Sequence, residues 1–301
     1  MGEVAIIGAG PAGCAAALQL KRLGIDSLLI EKERVGGLLL NANLVQNYPG
    51  FPTGITGLEL SRLLGEHLAR LNVEVLNAEV TELHYLNSSA QPGGTFLLTT
   101  TKGEFRSPIV VVASGTRPRR LTALAIPDEA VHRVLYEIYP ILATRGKRIA
   151  IIGGGDAAFD YALTLAKLEN EITILNRTSR KRCVTSLWQK ATQEGNIVYE
   201  DNIRVASLTS MGDGLAIQCR RTSNVSITMQ VDYLVIAAGR SPRTDFITER
   251  TKKIIPHLVR HRRLYLVGDV KRGVYRQVAI AVGDGVYAAM KIRNALRRGT
   301  P

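Results

Sequence analysis

Residues 3–20 read EVAIIGAGPAGCAAALQL, and residues 148–166 read RIAIIGGGDAAFDYALTLA. Each stretch opens with a short aliphatic run, passes through closely spaced glycines and ends in an alanine-rich segment. This order predicts a buried strand, a tight glycine turn and a helix, which together begin a βαβ unit that binds a dinucleotide. A second strand is predicted after each helix. The chain therefore contains an internal duplication, whose two copies lie 145 residues apart when counted from Gly8 to Gly153.

Further aliphatic runs predict buried strands, namely PIVVVA at 108–113, YLVIAA at 233–238 and LYLV at 264–267. Strands that alternate with helices are typical of α/β proteins with parallel sheets. We therefore expect two Rossmann-like dinucleotide-binding domains of the three-layer (ββα) type.

Glycine, proline and arginine cluster directly after two of these strands, as SGTRPRR at 114–120 and GRSPRTD at 239–245. Such clusters are typical of loops, and here they indicate crossings between domains. We expect the second domain to be inserted in the first. The first domain would consist of residues 1–116 and 240–301, and the second of residues 117–239.

The composition is that of a globular protein, with 46% hydrophobic and 22% charged residues in a chain of 301. No apolar run approaches the roughly 20 residues of a membrane-spanning helix, and the first residues lack the pattern of a signal peptide. The three cysteines, Cys14, Cys183 and Cys219, are odd in number and far apart. These features favour a cytoplasmic protein without a membrane span.

The net charge of +13 is concentrated near the end of the chain, because residues 239–301 hold 15 Lys and Arg against 4 Asp and Glu. This segment is interpreted either as a solvated basic face or as a docking surface for an acidic partner. Binding to nucleic acid is not expected, since no basic motif with interleaved aromatic residues accompanies the charge.

The first glycine loop has the spacing of a pyrophosphate-binding turn, with Gly8, Gly10 and Gly13 between a strand and a helix. The glycines permit a tight turn and a close approach of the backbone to the phosphates, whose charge then meets the helix N-terminus. Glu31 stands at the end of the second strand, where a carboxylate accepts hydrogen bonds from a ribose hydroxyl.

The second loop, with Gly153, Gly155 and Ala158, leads to a different strand end. The residues there are Asn176-Arg177-Thr178-Ser179-Arg180-Lys181-Arg182, which include no carboxylate to repel a 2′-phosphate and several cations to hold one. This site is predicted to prefer NADP(H), the alternative being a solvated basic turn. Two loops imply two dinucleotides, and we expect FAD in the first domain and NADPH in the second.

Beyond the loops, the sequence resembles the thioredoxin reductase family of low-molecular-weight, two-domain flavoproteins along nearly its whole length. The family-like motifs are GGLLLNANLVQNYPGFPTGITGLEL at 36–60, VVVASGTRPRRL at 110–121, AAGRSP at 237–242, LYLVGDV at 264–270 and VYRQVAIAVGDGVYAAM at 274–290. The resemblance implies that Asn47 and Gln277 lie near the flavin. Asp269 would accept hydrogen bonds from the ribityl chain, and a helix starting near Arg276 would stabilise negative charge on the reduced ring.

The motifs also define the remaining residues that we assign to the two cofactors. For FAD they are Pro11, Ala12, Lys32, Gly37, Leu38, Gly115, Gly268 and Val278, and for NADPH they are Asp156, Ala157, Gly239 and Arg240.

The redox-active Cys-x-x-Cys of thioredoxin reductases has no counterpart in this sequence. The corresponding segment reads Tyr136-Glu137-Ile138-Tyr139, and no cysteine occurs between Cys14 and Cys183. Without two thiols beside a flavin, the usual relay to a dithiol partner cannot form. The resemblance therefore indicates the fold and the cofactors, and does not by itself indicate the substrate.

Tyr136 and Tyr139 are candidate residues for the exposed face of the flavin, where a ring would limit access of solvent and oxygen. The alternative is that both simply pack in a helix. Cys183 follows several cationic residues, which would lower its pKa if it were reactive, although a role beside the NADPH phosphate is the preferred interpretation. Cys14 and Cys219 are expected to be structural.

We expect an FAD-dependent oxidoreductase that transfers electrons between NADPH and an unidentified acceptor. An acidic carrier such as ferredoxin or flavodoxin suits the basic segment, and a small oxidant is the nearest competitor. Three alternatives remain open: a disulfide oxidoreductase that uses a non-standard thiol, a flavoprotein fed by ferredoxin without NAD(P)H, and a non-catalytic flavin sensor. The resemblance implies a homodimer, and the five histidines show no metal-ligand spacing.

Overall fold

The structure is a computed structural model that describes residues 3–86 and 94–298. These residues form strands β1 (Val4–Ile7), β2 (Ser27–Glu31), β3 (Val75–Asn77), β4 (Val80–Leu86), β5 (Thr95–Thr100), β6 (Gly103–Ser107), β7 (Ile109–Val112), β8 (Thr116–Pro118), β9 (Val134–Leu135), β10 (Arg148–Ile152), β11 (Glu171–Leu175), β12 (Ile197–Glu200), β13 (Ile203–Met211), β14 (Gly214–Arg221), β15 (Ser226–Val231), β16 (Tyr233–Ile236), β17 (Arg240–Pro242) and β18 (Leu264–Leu266).

The α-helices are fewer and include the longest elements. They are α1 (Pro11–Arg22), α2 (Gly57–Arg70), α3 (Asp156–Ala166), α4 (Thr185–Gln193), α5 (Glu249–Lys253), α6 (Ile255–Arg260) and α7 (Val278–Arg297). Short 3-10 turns occur at Gly37–Asn41, Asp128–Arg133, Tyr139–Ile141 and Gly268–Val270.

The chain divides into two compact units. Unit 1 comprises residues 1–40, 44–117 and 241–301, and unit 2 comprises residues 118–240 together with Asn41–Asn43. The chain passes from one unit to the other within β8 and again within β17, and these two short strands pair with each other.

Unit 1 has three layers. Its central sheet is parallel with the strand order β18-β7-β1-β2-β3. Helices α1 and α7 pack on one face, where the core includes Ile6, Ala16, Val111 and Ile292. The antiparallel strands β4, β5 and β6 cover the other face through a second set of apolar side chains.

Unit 2 repeats this arrangement with the strand order β12-β11-β10-β16-β9. Helices α3 and α4 pack on one face around Phe159, and the antiparallel strands β13, β14 and β15 cover the other. In unit 1 the outer strand β18 comes from late in the chain, whereas in unit 2 the corresponding β9 precedes the glycine loop. The fold is α/β, with two Rossmann-like units of the three-layer type, as the sequence predicts.

The inner strands β1, β7, β10 and β16 of the central sheets are short aliphatic runs that are mostly buried, as parallel strands between two layers must be. In β1 and β7 every residue is buried. The helix expected to start near Arg276 is α7, which begins at Val278. Among the described residues, no helix has the length and apolar character that a bilayer crossing requires.

Candidate functional site

The first glycine loop is a tight turn that carries the chain from β1 into α1. Gly8 has a φ of 102°, in the left-handed region that favours glycine. A Cβ on Gly13 would lie 1.8 Å from the carbonyl oxygen of Gly8, so helix and turn can pack this closely only without that side chain. A Cβ on Gly10 would have no heavy atom within 4 Å, which leaves open space at the start of the helix.

The N-terminus of α1 has the properties of an anion site. Gly10 is its N-cap and supplies no side-chain hydrogen bond, Pro11 follows, and the first turn contains no acidic residue. The first amide groups of a helix lack partners within the helix and carry partial positive charge. Open space beside such amides is what the pyrophosphate of a dinucleotide requires, so these residues fit FAD.

Glu31 is held against the loop by two backbone amides. Its carboxylate accepts one hydrogen bond from Ala9 N at 2.7 Å and one from Glu33 N at 3.0 Å. The carboxylate therefore stands at the end of β2 beside the loop, where a ribose would lie. Lys32 forms an ion pair with Glu33 at 2.5 Å, so its charge is already partnered in this structure.

The segment after β2 returns to the same loop. Gly36 N donates to Ala9 O at 2.8 Å, and a Cβ on Gly37 would lie 3.5 Å from Cα of Gly10. Leu38 follows in the same 3-10 turn. Farther along, the Asn47 side-chain amide donates to the side-chain oxygen of Gln277 at 2.5 Å. This bond brings together two residues that are 230 positions apart, which the resemblance assigns to the flavin.

The end of β18 and the start of α7 complete the group in unit 1. Gly268 and Asp269 lie in a 3-10 turn, and the buried carboxylate of Asp284 accepts a hydrogen bond from Gly268 N at 3.1 Å. Helix α7 has Gln277 as N-cap without a side-chain cap, and its first turn, which begins at Val278, contains no acidic residue. Unit 1 thus has a second helix N-terminus without a side-chain cap, and Arg276 directly precedes its N-cap residue.

Asp284 was not identified from the sequence. Arg272 donates to its carboxylate through Nε at 2.8 Å and also through a terminal nitrogen. Burial raises the pKa of Asp284, but the bonds from Arg272 and Gly268 outweigh this effect and the net pKa is lowered. The ion pair between Arg272 and Asp284 stabilises the turn that precedes α7. The two residues are twelve positions apart, and no local sequence pattern predicts their contact.

The second glycine loop has the same construction in unit 2. A Cβ on Gly153 would lie 2.7 Å from Ala237 O, whereas one on Gly155 would have no heavy atom within 4 Å. Helix α3 begins at Asp156, whose carboxylate accepts a hydrogen bond from Val184 N at 2.8 Å. Ala157 is exposed beside it.

The basic segment after β11 folds back onto this loop. Arg182 N donates to Gly154 O at 2.7 Å, and the buried Asn176 donates to Arg180 O at 3.1 Å and to the Tyr199 hydroxyl at 3.0 Å. Lys181 stands over the Trp188 ring at 3.9 Å. Arg177 and Arg182 are exposed, and among the described residues neither forms an ion pair. The cations therefore lie beside the loop and remain available for a phosphate.

The segment 136–139 is tied into a polar network within unit 2. The side-chain oxygen of Asn41 accepts hydrogen bonds from Ile138 N at 3.0 Å and Tyr139 N at 2.9 Å. Its amide donates to Glu137 at 3.2 Å, and Glu137 also pairs with Arg240 at 3.0 Å. Neither Asn41 nor Glu137 stood out in the sequence, because both depend on contacts about 100 positions apart.

The two tyrosines of this segment do not share a helix. Tyr136 packs against the apolar core beside β13 and β14, and Tyr139 opens a three-residue 3-10 turn. The interpretation that both pack in one helix is therefore wrong.

Gly115 and Gly239 directly precede β8 and β17, the two strands in which the chain passes between the units, and both glycines have positive φ.

All three cysteines are free, and burial raises the pKa of each. For Cys14 the pKa is raised to about 12, and its thiol donates to Ala9 O at 3.1 Å. For Cys219 it is raised to about 11. For Cys183, Lys181 acts to lower the pKa, but burial outweighs this effect and the net pKa is raised. Within residues 3–86 and 94–298, no group of three metal-ligating side chains occurs.

Comparison with known proteins gives a consistent result. Residues 2–285 match the model of a family described as pyridine nucleotide-disulphide oxidoreductase. The chain is 30% identical over 306 residues to the bifunctional thioredoxin reductase/thioredoxin of Mycobacterium leprae, covering 96% of this chain and 64% of that protein. It is 29% identical over 298 residues to a ferredoxin–NADP reductase of Lacticaseibacillus paracasei, covering 96% of this chain and 87% of that protein. The structure resembles that of Lactococcus lactis thioredoxin reductase, with a TM-score of 0.84, 26% identity, and coverage of 99% of this chain and 100% of that one.

Proposed function

Since this chain belongs to the pyridine nucleotide-disulphide oxidoreductase family, we propose that it transfers electrons between NADPH and an external acceptor without a dithiol of its own. It is an FAD-dependent oxidoreductase of the thioredoxin reductase type, and FAD and NADP(H) are its cofactors.

The observation that carries the proposal is the state of the thiols in this chain. The segment 136–139 contains no cysteine. Its backbone N–H groups at Ile138 and Tyr139 donate to the side-chain oxygen of Asn41, which holds the segment in place. The three cysteines that do exist have pKa values above their ordinary range because of burial. A thiolate is the nucleophile in disulfide exchange, so thiols whose pKa is raised are poor candidates for a relay.

Unit 1 is proposed to hold FAD. The amides at the start of α1 would receive the pyrophosphate, and Glu31 would accept hydrogen bonds from the ribose of its adenosine half. Asp269 would orient the ribityl chain, while Asn47 and Gln277, already joined to each other, would border the flavin ring. When bound, FAD supplies a ring system that accepts two electrons from NADPH and passes them on.

Unit 2 is proposed to hold NADPH. The amides at the start of α3 would receive its pyrophosphate, and Arg177 and Arg182 would hold the 2′-phosphate. Asp156 is engaged by Val184 N, which keeps its carboxylate bound to backbone at the helix start. In this scheme the protein binds and aligns the two dinucleotides and excludes water, and no side-chain acid or base is needed.

An acidic one-electron carrier of the ferredoxin or flavodoxin type is the proposed acceptor. The support is the charge of residues 239–301, with 15 Lys and Arg against 4 Asp and Glu, because complementary fields speed encounters between carriers. The Lacticaseibacillus relative is by its name a ferredoxin–NADP reductase. A homodimer is proposed from the family resemblance.

An anaerobic titration of the purified yellow holoprotein tests this function. NADPH should bleach the flavin absorption faster than NADH does, and oxidised ferredoxin or flavodoxin should restore it. Oxidised thioredoxin, added in a parallel arm, should not. Rapid turnover with thioredoxin would contradict the proposal, and bleaching by reduced ferredoxin but not by NADPH would assign the protein to the ferredoxin-fed class.

A further inference from the structure

A cavity of about 500 Å³ lies within unit 1, next to the 3-10 turn that contains Gly268 and Asp269. Its walls are one face of α7, the edge strand β18, and the turn that joins α6 to β18. None of the side chains that we assign to FAD or NADPH belongs to these walls. A cavity of this size is within the range of small-molecule sites in proteins.

The cavity is lined by five cationic side chains, which are Arg260, Arg262, Lys271, Lys291 and Arg298. Among the described residues, none of the five forms an ion pair with a carboxylate. The cavity wall also contains Asp284, but its carboxylate is already bonded to Arg272 and to Gly268 N. The charge available to a ligand in this cavity is therefore strongly positive.

Arg262 reaches this wall from an unusual backbone position. It has a φ of 59°, at a helix end where glycine or asparagine is the usual residue. Arg262 N donates to Val259 O at 3.1 Å, and Arg263 N donates to Leu258 O at 2.9 Å, so the turn is closed by hydrogen bonds on both sides. Arg262 therefore occupies a backbone position that glycine or asparagine would adopt more easily.

The ring of Tyr265 contributes to the same wall. Tyr265 is 9% exposed and lines the cavity, whereas its hydroxyl is shielded from solvent and has no hydrogen-bond partner among the described residues. Because the hydroxyl is not accessible, Tyr265 offers a ligand apolar surface only.

An aromatic ring stands at the same wall. Tyr287 is 59% exposed on α7, and the Lys291 ammonium lies 4.7 Å from its ring centroid. An exposed ring next to a cation suits a ligand that carries both a planar group and negative charge.

We propose that this cavity binds a small, multiply phosphorylated anion, which the five cations attract. A concave wall favours a small ligand over an acidic protein, which would meet only the cations at the rim. Nucleoside polyphosphates and inorganic polyphosphates share this chemistry. Only a nucleoside polyphosphate has a base that can stack on the ring of Tyr287, so this ring would favour it over inorganic polyphosphate.

Isothermal titration calorimetry of the FAD-loaded protein, kept saturated with NADP⁺ to fill the second dinucleotide site, tests the proposal. The probes are ATP, tripolyphosphate and uncharged adenosine. ATP and tripolyphosphate should bind, and adenosine should not. Lys291→Glu should weaken binding by about tenfold or more, because it reverses one charge-assisted contact, whereas Lys102→Glu on the loop between β5 and β6 should leave it unchanged.

Absence of any binding by ATP and tripolyphosphate would overturn the proposal. So would binding that is insensitive to Lys291→Glu, or binding that is lost only with Arg177→Ala, which would assign it to the NADP(H) site.

Discussion

The side-chain oxygen of Asn41 accepts a hydrogen bond of 2.9 Å from the backbone N–H of Tyr139. The same oxygen accepts a second bond from the buried N–H of Ile138. Asn41→Ala would leave both donors without this partner, and an unsatisfied buried donor costs about 1–3 kcal/mol. We expect the variant to lose about 2 kcal/mol of stability in unit 2 and to exchange its amides at 136–141 faster, as measured by calorimetry and hydrogen–deuterium exchange.

Asn43→Ala is the matched control for this prediction. Asn43 contributes only its backbone N–H, which donates to Asp160 at 3.1 Å, so the loss of its side chain should change neither quantity. Equal exchange in Asn41→Ala and the native protein would show that the segment is held by other contacts.

Two glycine-to-alanine changes in one turn should separate folding from cofactor binding. Gly13→Ala places a methyl group 1.8 Å from Gly8 O, so the helix cannot pack and the protein should fail to fold. Gly10→Ala meets no protein atom within 4 Å, so the protein should fold but bind FAD at least about tenfold more weakly. Circular dichroism and the flavin content after dialysis measure the two outcomes, and full flavin retention by Gly10→Ala would contradict the assignment.

Arg177→Ala should discriminate between the two nicotinamide dinucleotides. Loss of a charge-assisted bond to the 2′-phosphate should weaken NADPH by about tenfold and leave NADH unchanged. Arg220→Ala, an exposed arginine on β14 of the same unit, is the control and should affect neither. Stopped-flow reduction of the flavin at varied dinucleotide concentration gives the affinities, and equal losses for both dinucleotides would remove Arg177 from the phosphate site.

Cys183 should be unreactive at neutral pH. Its pKa is raised by burial, so the thiolate that reacts with iodoacetamide becomes abundant only above the ordinary pKa of a thiol. Alkylation of Cys183, followed by mass spectrometry, should therefore be slow at pH 7 and accelerate as the pH rises through the alkaline range. Cys183→Ser should leave turnover unchanged with every acceptor, and a loss of turnover would revive a mechanism based on this thiol.

The strands, the glycine turns and the layer architecture were predictable because they depend on local patterns. Aliphatic runs such as β10 and β11 are bounded by glycines or polar residues, and β11, at Glu171–Leu175, is the strand predicted to follow the second helix. The glycines of the first loop were recognisable because a tight turn and close helix packing demand them at fixed spacing.

Contacts between distant parts of the chain were not predictable in this way. Asn41 and Glu137 interact across 96 positions, and neither has a neighbouring pattern that would identify it. The net shift in the pKa of Cys183 was not predictable, because the cations beside it are visible in the sequence, whereas the packing that partly buries the thiol is not. The unsatisfied Tyr265 hydroxyl is likewise visible only once its surroundings are known.

The position of the edge strand along the chain, late for β18 of unit 1 and early for β9 of unit 2, determines which unit can be transferred to another protein. All five parallel strands of unit 2, from β9 to β16, come from one uninterrupted stretch, so residues 118–240 form a cassette that can be grafted as a single piece. Unit 1 has no such independence, because a break before β18 removes both its edge and α7. Any graft would still need to supply a substitute for Asn41, whose side chain anchors the segment 136–139 of the cassette from outside its own stretch.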